Sequence, residues 1–168
     1  MTNKHLATYL NDHDAGALTA LELLEHLTSA YAGTPVAAFA RELHAEIAAD
    51  RLELEALMAH LDIAKSGVRQ ASAWLAEKLA ELKLRLDDVR AGAFRLFEAA
   101  EAVSLGIEGK KLLWVVLSQE SENLPSLQLL DYDRLIRRAE DQRRRVEAVR
   151  LEAGKAAFIP AQSVASAR

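Results

Sequence analysis

The sequence contains no cysteine, and its 168 residues include only seven glycines and three prolines. Without cysteine there can be no disulfide framework, no thiolate-bound zinc or iron–sulfur cluster and no cysteine nucleophile. The few glycines and prolines leave few positions for tight turns, which excludes a many-stranded sandwich, a barrel and a Gly/Pro-rich disordered region. The longest unbroken apolar run covers only Leu112 to Leu117, whereas a membrane helix needs about 20 residues.

Alanine and leucine are abundant, with 32 and 28 residues, against 14 valines and isoleucines together. This ratio favours helix and leaves little material for a sheet. The length is typical of one domain, and the first residues lack the apolar core of a signal peptide. We therefore predict a cytoplasmic, all-helical single domain over residues 1–157, followed by a flexible tail at 158–168.

Apolar residues recur every three or four positions in four stretches, which predicts long helices at about 5–31, 35–61, 93–119 and 132–157. Gly33, Thr34 and Pro35 have the residue types of a helix stop, an N-cap and a first-turn proline. The first two helices should therefore form a hairpin. Gly106 and Gly109, inside the third helix, are interpreted as close-packing points for a neighbouring helix.

The connection between the second and third long helices spans about 30 residues and is predicted to hold a further helix at about 67–86. It is too long for a hairpin and long enough to travel back along the bundle. A hairpin, a long crossover and a second hairpin make an antiparallel four-helix bundle with the connectivity of ferritin-like folds. One apolar patch on the crossover helix is a candidate surface for a protein partner, namely Trp74, Leu75, Leu79 and Leu82.

Charge is divided unevenly along the chain. Residues 1–62 carry 3 basic and 10 acidic side chains, net −7, whereas residues 63–168 carry 18 basic and 15 acidic ones, net +3. The two parts should attract each other within the fold or across a homodimer. The arginines between residues 134 and 150 alternate with acidic residues at helical spacings, so we expect an ion-paired, solvated face rather than a nucleic-acid surface.

Polar residues interrupt the apolar stripes of the long helices at five positions, His13, Asp50, Glu101, Glu108 and Gln142. The level of each residue in the bundle follows from counting residues along its helix from the same end of the bundle. His13, Asp50, Glu108 and Gln142 should lie at the same level to within about one helical turn, and Glu101 should lie further away. Because burial of such groups alone is costly, they should pair with each other or with an ion. One interpretation is a hydrogen-bonded core network, in which Asp50 accepts from His13 and Glu108 accepts from Gln142. The alternative is a site for iron, manganese or zinc formed by His13, Asp50 and Glu108.

Three short motifs carry a resemblance to a known family: Tyr9-Leu-Asn-Asp-His13, Glu46-x-x-x-Asp50-Arg51 and Glu108-Gly-Lys110. Over about residues 5–157 the chain resembles bacterial members of the ferritin-like superfamily. The resemblance implies a four-helix fold and, for metal-active members, oxidation or iron handling. Those members carry Glu-x-x-His on two helices. Ala49 and Arg143 stand here in place of the two histidines, so the di-iron motif is degenerate.

These observations predict a non-catalytic structural or protein-interaction protein that forms a homodimer and needs no cofactor. No catalytic residue is assigned, because the sequence has no Gly-x-Ser-x-Gly, Walker or His-Glu-x-x-His motif. The alternative function is a metal-binding or redox protein whose atypical site consists of His13, Asp50 and Glu108.

Overall fold

A computed structural model describes residues 4–65 and 92–159 as helices and their connections, with no strand among them. The helices are α1 (Lys4–Ala30), α2 (Pro35–His60), α3 (Gly92–Glu120) and α4 (Tyr132–Phe158), with a 3₁₀ turn at Pro125–Leu127. The predicted all-helical class is confirmed. The ends predicted for these four long helices each lie within one residue of the observed ends. None of the helices in these two stretches is long and apolar enough to cross a membrane.

The joint between α1 and α2 has the predicted local chemistry. Gly33 adopts a positive φ of 79°, a conformation that a residue with a side chain rarely takes. The Thr34 hydroxyl accepts a hydrogen bond from the Ala37 backbone N–H at 3.4 Å, and Pro35 follows in the first turn of α2. Asp131 caps α4 in the same way, accepting from the Arg134 N–H at 2.9 Å.

Two of the predicted features lie outside the described residues. The crossover helix expected at about 67–86, with its patch Trp74, Leu75, Leu79 and Leu82, is one of them. The other is most of the tail expected at 158–168, because the description ends at Ile159, one residue after the end of α4.

The helices pack as two main pairs, α1 with α2 and α3 with α4, and further contacts join α1 to α3 and α2 to α4. The apolar core has two clusters. One gathers the end of α1, the first half of α2, the first half and middle of α3, and the middle of α4, through residues such as Leu24, Leu43, Val103 and Val146. The other gathers the opposite parts of the helices, through residues such as Leu10, Leu57, Trp114 and Leu135.

The glycines of α3 do not have the role expected from the sequence. A Cβ atom added at Gly106 or Gly109 would meet no heavy atom within 4 Å. The interpretation of these two as close-packing points is therefore wrong within the part of the chain that the structure describes. The glycine at a close helix contact is Gly154 of α4, where an added Cβ would lie 3.0 Å from Cδ2 of Phe97.

Alanine substitutions at Gly16 and Gly33 test helix propensity inside α1 and the positive φ that ends it. An added Cβ at Gly16, inside α1, meets nothing within 4 Å, whereas Gly33 has a positive φ. We expect Gly16→Ala to raise the free energy of unfolding by about 0.5–1 kcal/mol through helix propensity. Gly33→Ala should lower it by about 1 kcal/mol, because alanine is strained at that φ. Urea denaturation of both variants measures the two signs, and equal signs would contradict this account.

Candidate functional site

A buried carboxylate lies at the centre of the bundle. Asp50 of α2 is 1% exposed and contacts three side chains from two other helices. The Lys110 ammonium of α3 pairs with Oδ2, and the Arg138 guanidinium of α4 pairs with Oδ1. Gln142, also on α4 and fully buried, donates from Nε2 to Oδ2 at 3.1 Å and accepts from Lys110 at Oε1. We call these four residues the Asp50 cluster.

Local sequence places these polar groups on the core faces of their helices. Asp50 follows the buried Ile47 by three residues and precedes the buried Leu54 by four. Lys110 follows the buried Ile107 of α3 by three residues. These spacings put each polar residue on the same face as its apolar neighbours. Ile47 and Ile107 belong to one apolar cluster and Leu54 to the other, so the polar groups separate the two.

The electrostatics of the Asp50 cluster are dominated by burial. Burial lowers the pKa of the Lys110 amine, and the adjacent Asp50 carboxylate opposes that shift. The Arg138 charge lowers the same pKa further, while Glu46 raises it. Two cations therefore share one fully buried carboxylate. A carboxylate is expensive to bury alone, and the cationic partners compensate for its desolvation.

A second polar group joins α1 to α2. Asp14 of α1 is 7% exposed and accepts from Arg51 Nε at 2.7 Å. Arg51 also pairs with Glu55 at 2.7 Å, and Glu55 pairs with Lys65 at 2.8 Å. The acidic side chain that α1 contributes to the buried part of the bundle is therefore Asp14.

Ion pairs link α2 to α4 on both sides of the Asp50 cluster. Glu46 pairs with Arg145, and Glu53 pairs with Arg134 at 2.6 Å. Part of the attraction expected between the acidic and the basic parts of the chain thus acts within the fold. Six of the α4 arginines have carboxylate partners, namely Arg134, Arg138, Arg143, Arg144, Arg145 and Arg150.

The structure brings together two of the five polar residues singled out from the sequence, Asp50 and Gln142. Glu108 is half-buried and pairs with Lys111 at 3.0 Å and with Arg143 at 3.3 Å. Glu101 is exposed and pairs with Arg150 at 3.2 Å. His13 packs edge-on against Tyr9, with 4.7 Å between ring centroids.

The expected pairings of Asp50 with His13 and of Glu108 with Gln142 are therefore not the ones formed. On α3 the reason is that apolar residues lie on two faces. Leu105 and Leu112, which flank Glu108 in the sequence, are 67% and 55% exposed, so this stripe faces away from the core. The core face carries Lys110, which the sequence reasoning missed although it is three residues from Ile107.

On α1 the buried polar residue is Asp14, the next residue after the expected His13. The buried stripe continues from Leu10 to Asp14, four positions on, and His13 lies beside it. One residue changes the direction of a side chain by about 100° around the helix axis. Arg138 and Arg51 were also missed, because both occur among many charged residues whose helical spacing equally suits a solvated face.

The predicted metal ligands His13, Asp50 and Glu108 each have a different partner in the structure. Among residues 4–65 and 92–159, no three His, Cys, Asp or Glu side chains are grouped so that they could hold a metal ion. The Asp50 carboxylate is already bound by two cationic side chains and an amide. Of the polar layer expected from four helices, Asp50 and Gln142 meet, and the two other side chains that join them, Lys110 and Arg138, are basic.

The chain was compared with models of protein families, with curated proteins and with solved structures, and none of these matched. A cavity in one apolar cluster is lined by side chains such as Leu24, Phe39, Leu96 and Val146, which supply no acid, base or nucleophile. The Asp50 cluster is thus the most distinctive chemical feature of the described residues, and its groups bind one another.

Removal of the Asp50 charge should destabilise the fold more than removal of the Lys110 charge. Asp50→Asn leaves the Lys110 and Arg138 side chains, 13% and 26% exposed, without a carboxylate, so we expect the free energy of unfolding to fall by about 3 kcal/mol. Lys110→Met leaves Asp50 paired with Arg138 and should cost about 1 kcal/mol or less. Urea denaturation at neutral pH compares the two. Equal losses in both variants would show that the ammonium is needed as much as the carboxylate.

His13 should make stability depend on pH. Burial lowers its pKa below the usual 6.5, so the folded state binds a proton less readily than the unfolded state. The stability that this group contributes is therefore present above pH 6.5 and declines as the pH falls from 6.5 through the lowered pKa. We expect His13→Gln to flatten this part of the stability profile, measured by urea denaturation at several pH values. The exposed His60→Gln is the control, and an unchanged slope in His13→Gln would contradict the prediction.

Proposed function

We propose that this chain is a non-catalytic, homodimeric helical bundle that acts through protein contacts. The observation that carries the proposal is that Asp50, the buried carboxylate at the centre, is neutralised by Lys110 and Arg138 of the same chain. Bundles that bind metals in their cores direct several carboxylates and histidines at the ion. Here an ammonium and a guanidinium supply the positive charge, which favours a structural role for the polar groups.

The polar contacts are well suited to hold the helices in one alignment. Asp50 of α2 can meet Lys110 of α3 and Gln142 of α4 at the same time in only one relative position of the three helices. A one-turn slip, about 5.4 Å along a helix, would leave buried charges without partners. This specificity is what a scaffold needs if it is to present fixed surfaces to another protein.

We further propose that the four helices have the antiparallel, ferritin-like order. The apolar clusters support this order, because one of them combines Leu10 near the start of α1, Leu57 near the end of α2, Trp114 in the second half of α3 and Leu135 near the start of α4. The length between α2 and α3 suits a connection that returns along the bundle. The cytoplasmic location and the metal-binding alternative stay predictions from the sequence.

Metal analysis tests the proposed function against that alternative. We expect protein purified without chelators to contain no stoichiometric iron, manganese or zinc by elemental analysis. Titration with each divalent ion should release no saturable heat and should not raise the unfolding temperature, since a ligand that binds the folded state stabilises it. Stoichiometric metal that disappears in His13→Ala but persists in the control His60→Ala would overturn the proposal.

A further inference from the structure

The connection between α2 and α3 is held to α1 at both of its ends. Shortly after α2, the Ala64 carbonyl accepts a hydrogen bond from Nδ2 of Asn11, near the start of α1, at 3.3 Å. Where α3 begins, the Gly92 carbonyl accepts from the Tyr31 hydroxyl, at the end of α1, at 2.7 Å. Residues 66–91 lie between these two contacts, so the connection has to run from one end of α1 to the other.

The length of this connection fits a path along α1. Asn11 and Tyr31 are twenty residues apart in the sequence, which is about 30 Å along a helix. The helix predicted from the sequence at about 67–86 has the same length, about 30 Å. Six of the 26 connecting residues then remain for the turns at its two ends.

A path over the opposite side of the bundle is too long. The helix α4 lies diagonally across the bundle from α1, because both of these helices pack against α2 and α3. A path over α4 would cross the bundle twice, and each crossing is wider than the roughly 8–10 Å between neighbouring helices. Six residues reach at most about 20 Å when fully extended, so they cannot make both crossings and the turns.

One side of α1 has the composition of a contact surface. Asn11, Ala15, Leu18 and Glu22 recur every three or four residues, and they lie roughly opposite the buried side of the helix. We call these four residues the outer face of α1. Its centre is uncharged, because residues 15–21 include no Asp, Glu, Lys or Arg. A helix side in contact with water normally carries charged and polar residues.

We propose that the outer face of α1 is the docking surface of residues 66–91 of the same chain, which run along it in the direction of α1. The apolar residues of that segment recur every three or four positions, as in a helix with one buried side, at Val68, Ala71, Leu75, Leu79 and Leu82. The leucines among them belong to the patch that the sequence suggested for a protein partner. They contact α1 instead, so that patch is not a surface for another protein. This inference does not rest on the proposed homodimer.

The absence of cysteine from the chain allows the path to be mapped by crosslinking. Because the segment and α1 run in the same direction, position 71 should lie beside position 15, and position 82 about 16 Å further along. We expect a bismaleimide shorter than this distance to join the two cysteines of Ala15→Cys/Ala71→Cys within one chain, as read by mass spectrometry. It should not join those of Ala15→Cys/Leu82→Cys.

The control for a connection that has no fixed position is Ala45→Cys/Ala71→Cys, because Ala45 is exposed on α2. This pair should not be joined. Crosslinking of the control as strongly as Ala15→Cys/Ala71→Cys would overturn the proposal, and so would the failure of every pair to crosslink. Crosslinking of position 15 to position 82 in preference to position 71 would overturn the direction of the segment.

Alkylation rates test the contact without a crosslinker. The thiol of Ala15→Cys should react with iodoacetamide at least about tenfold faster once Leu75→Glu is added, because a carboxylate against the uncharged centre of the outer face releases the segment. The thiol of Ala45→Cys should react at the same rate with and without Leu75→Glu. An unchanged rate at position 15, in a variant whose circular dichroism is that of the wild type, would overturn the docking. The crosslinking experiment decides the matter if Leu75→Glu unfolds the chain.

Discussion

The burial of one carboxylate constrains the arrangement of three helices. Asp50 is 1% exposed and cannot be solvated, so its charge must be balanced by side chains from elsewhere in the chain. Lys110 comes from α3, and Arg138 and Gln142 come from α4. Apolar contacts are non-directional and would tolerate several relative positions of the helices. The ion pairs and the amide hydrogen bonds have defined geometry, and they favour one position.

The same principle extends to the other helix contacts. Asp14 and Arg51 join α1 to α2 at 2.7 Å, and Glu53 and Arg134 join α2 to α4 at 2.6 Å. The first part of the sequence is acidic and the later part is basic. Acidic residues of α2 therefore pair with arginines of α4, which are far away in the chain. Apolar clusters above and below the polar groups supply most of the burial, while the charges determine which helix faces meet.

The two apolar faces of α3 connect the core to the surface. One face supplies Val103 and Ile107 to the core, together with Lys110. The other carries exposed leucines around Gly109. A helix with both kinds of face can be packed in its own bundle and still offer an apolar strip to another molecule.

The sequence by itself determined the helical class, the ends of the four helices and the caps at Thr34 and Asp131, because these depend on neighbours within a few residues. It also marked Asp50 and Gln142, since each interrupts an apolar stripe. It could not select Lys110, because leucines on both sides of α3 make the apolar period ambiguous. Only the tertiary structure decided which face of α3 is inside, and hence that the buried carboxylate meets cations. That choice depends on three helices packing together, and no local pattern contains it.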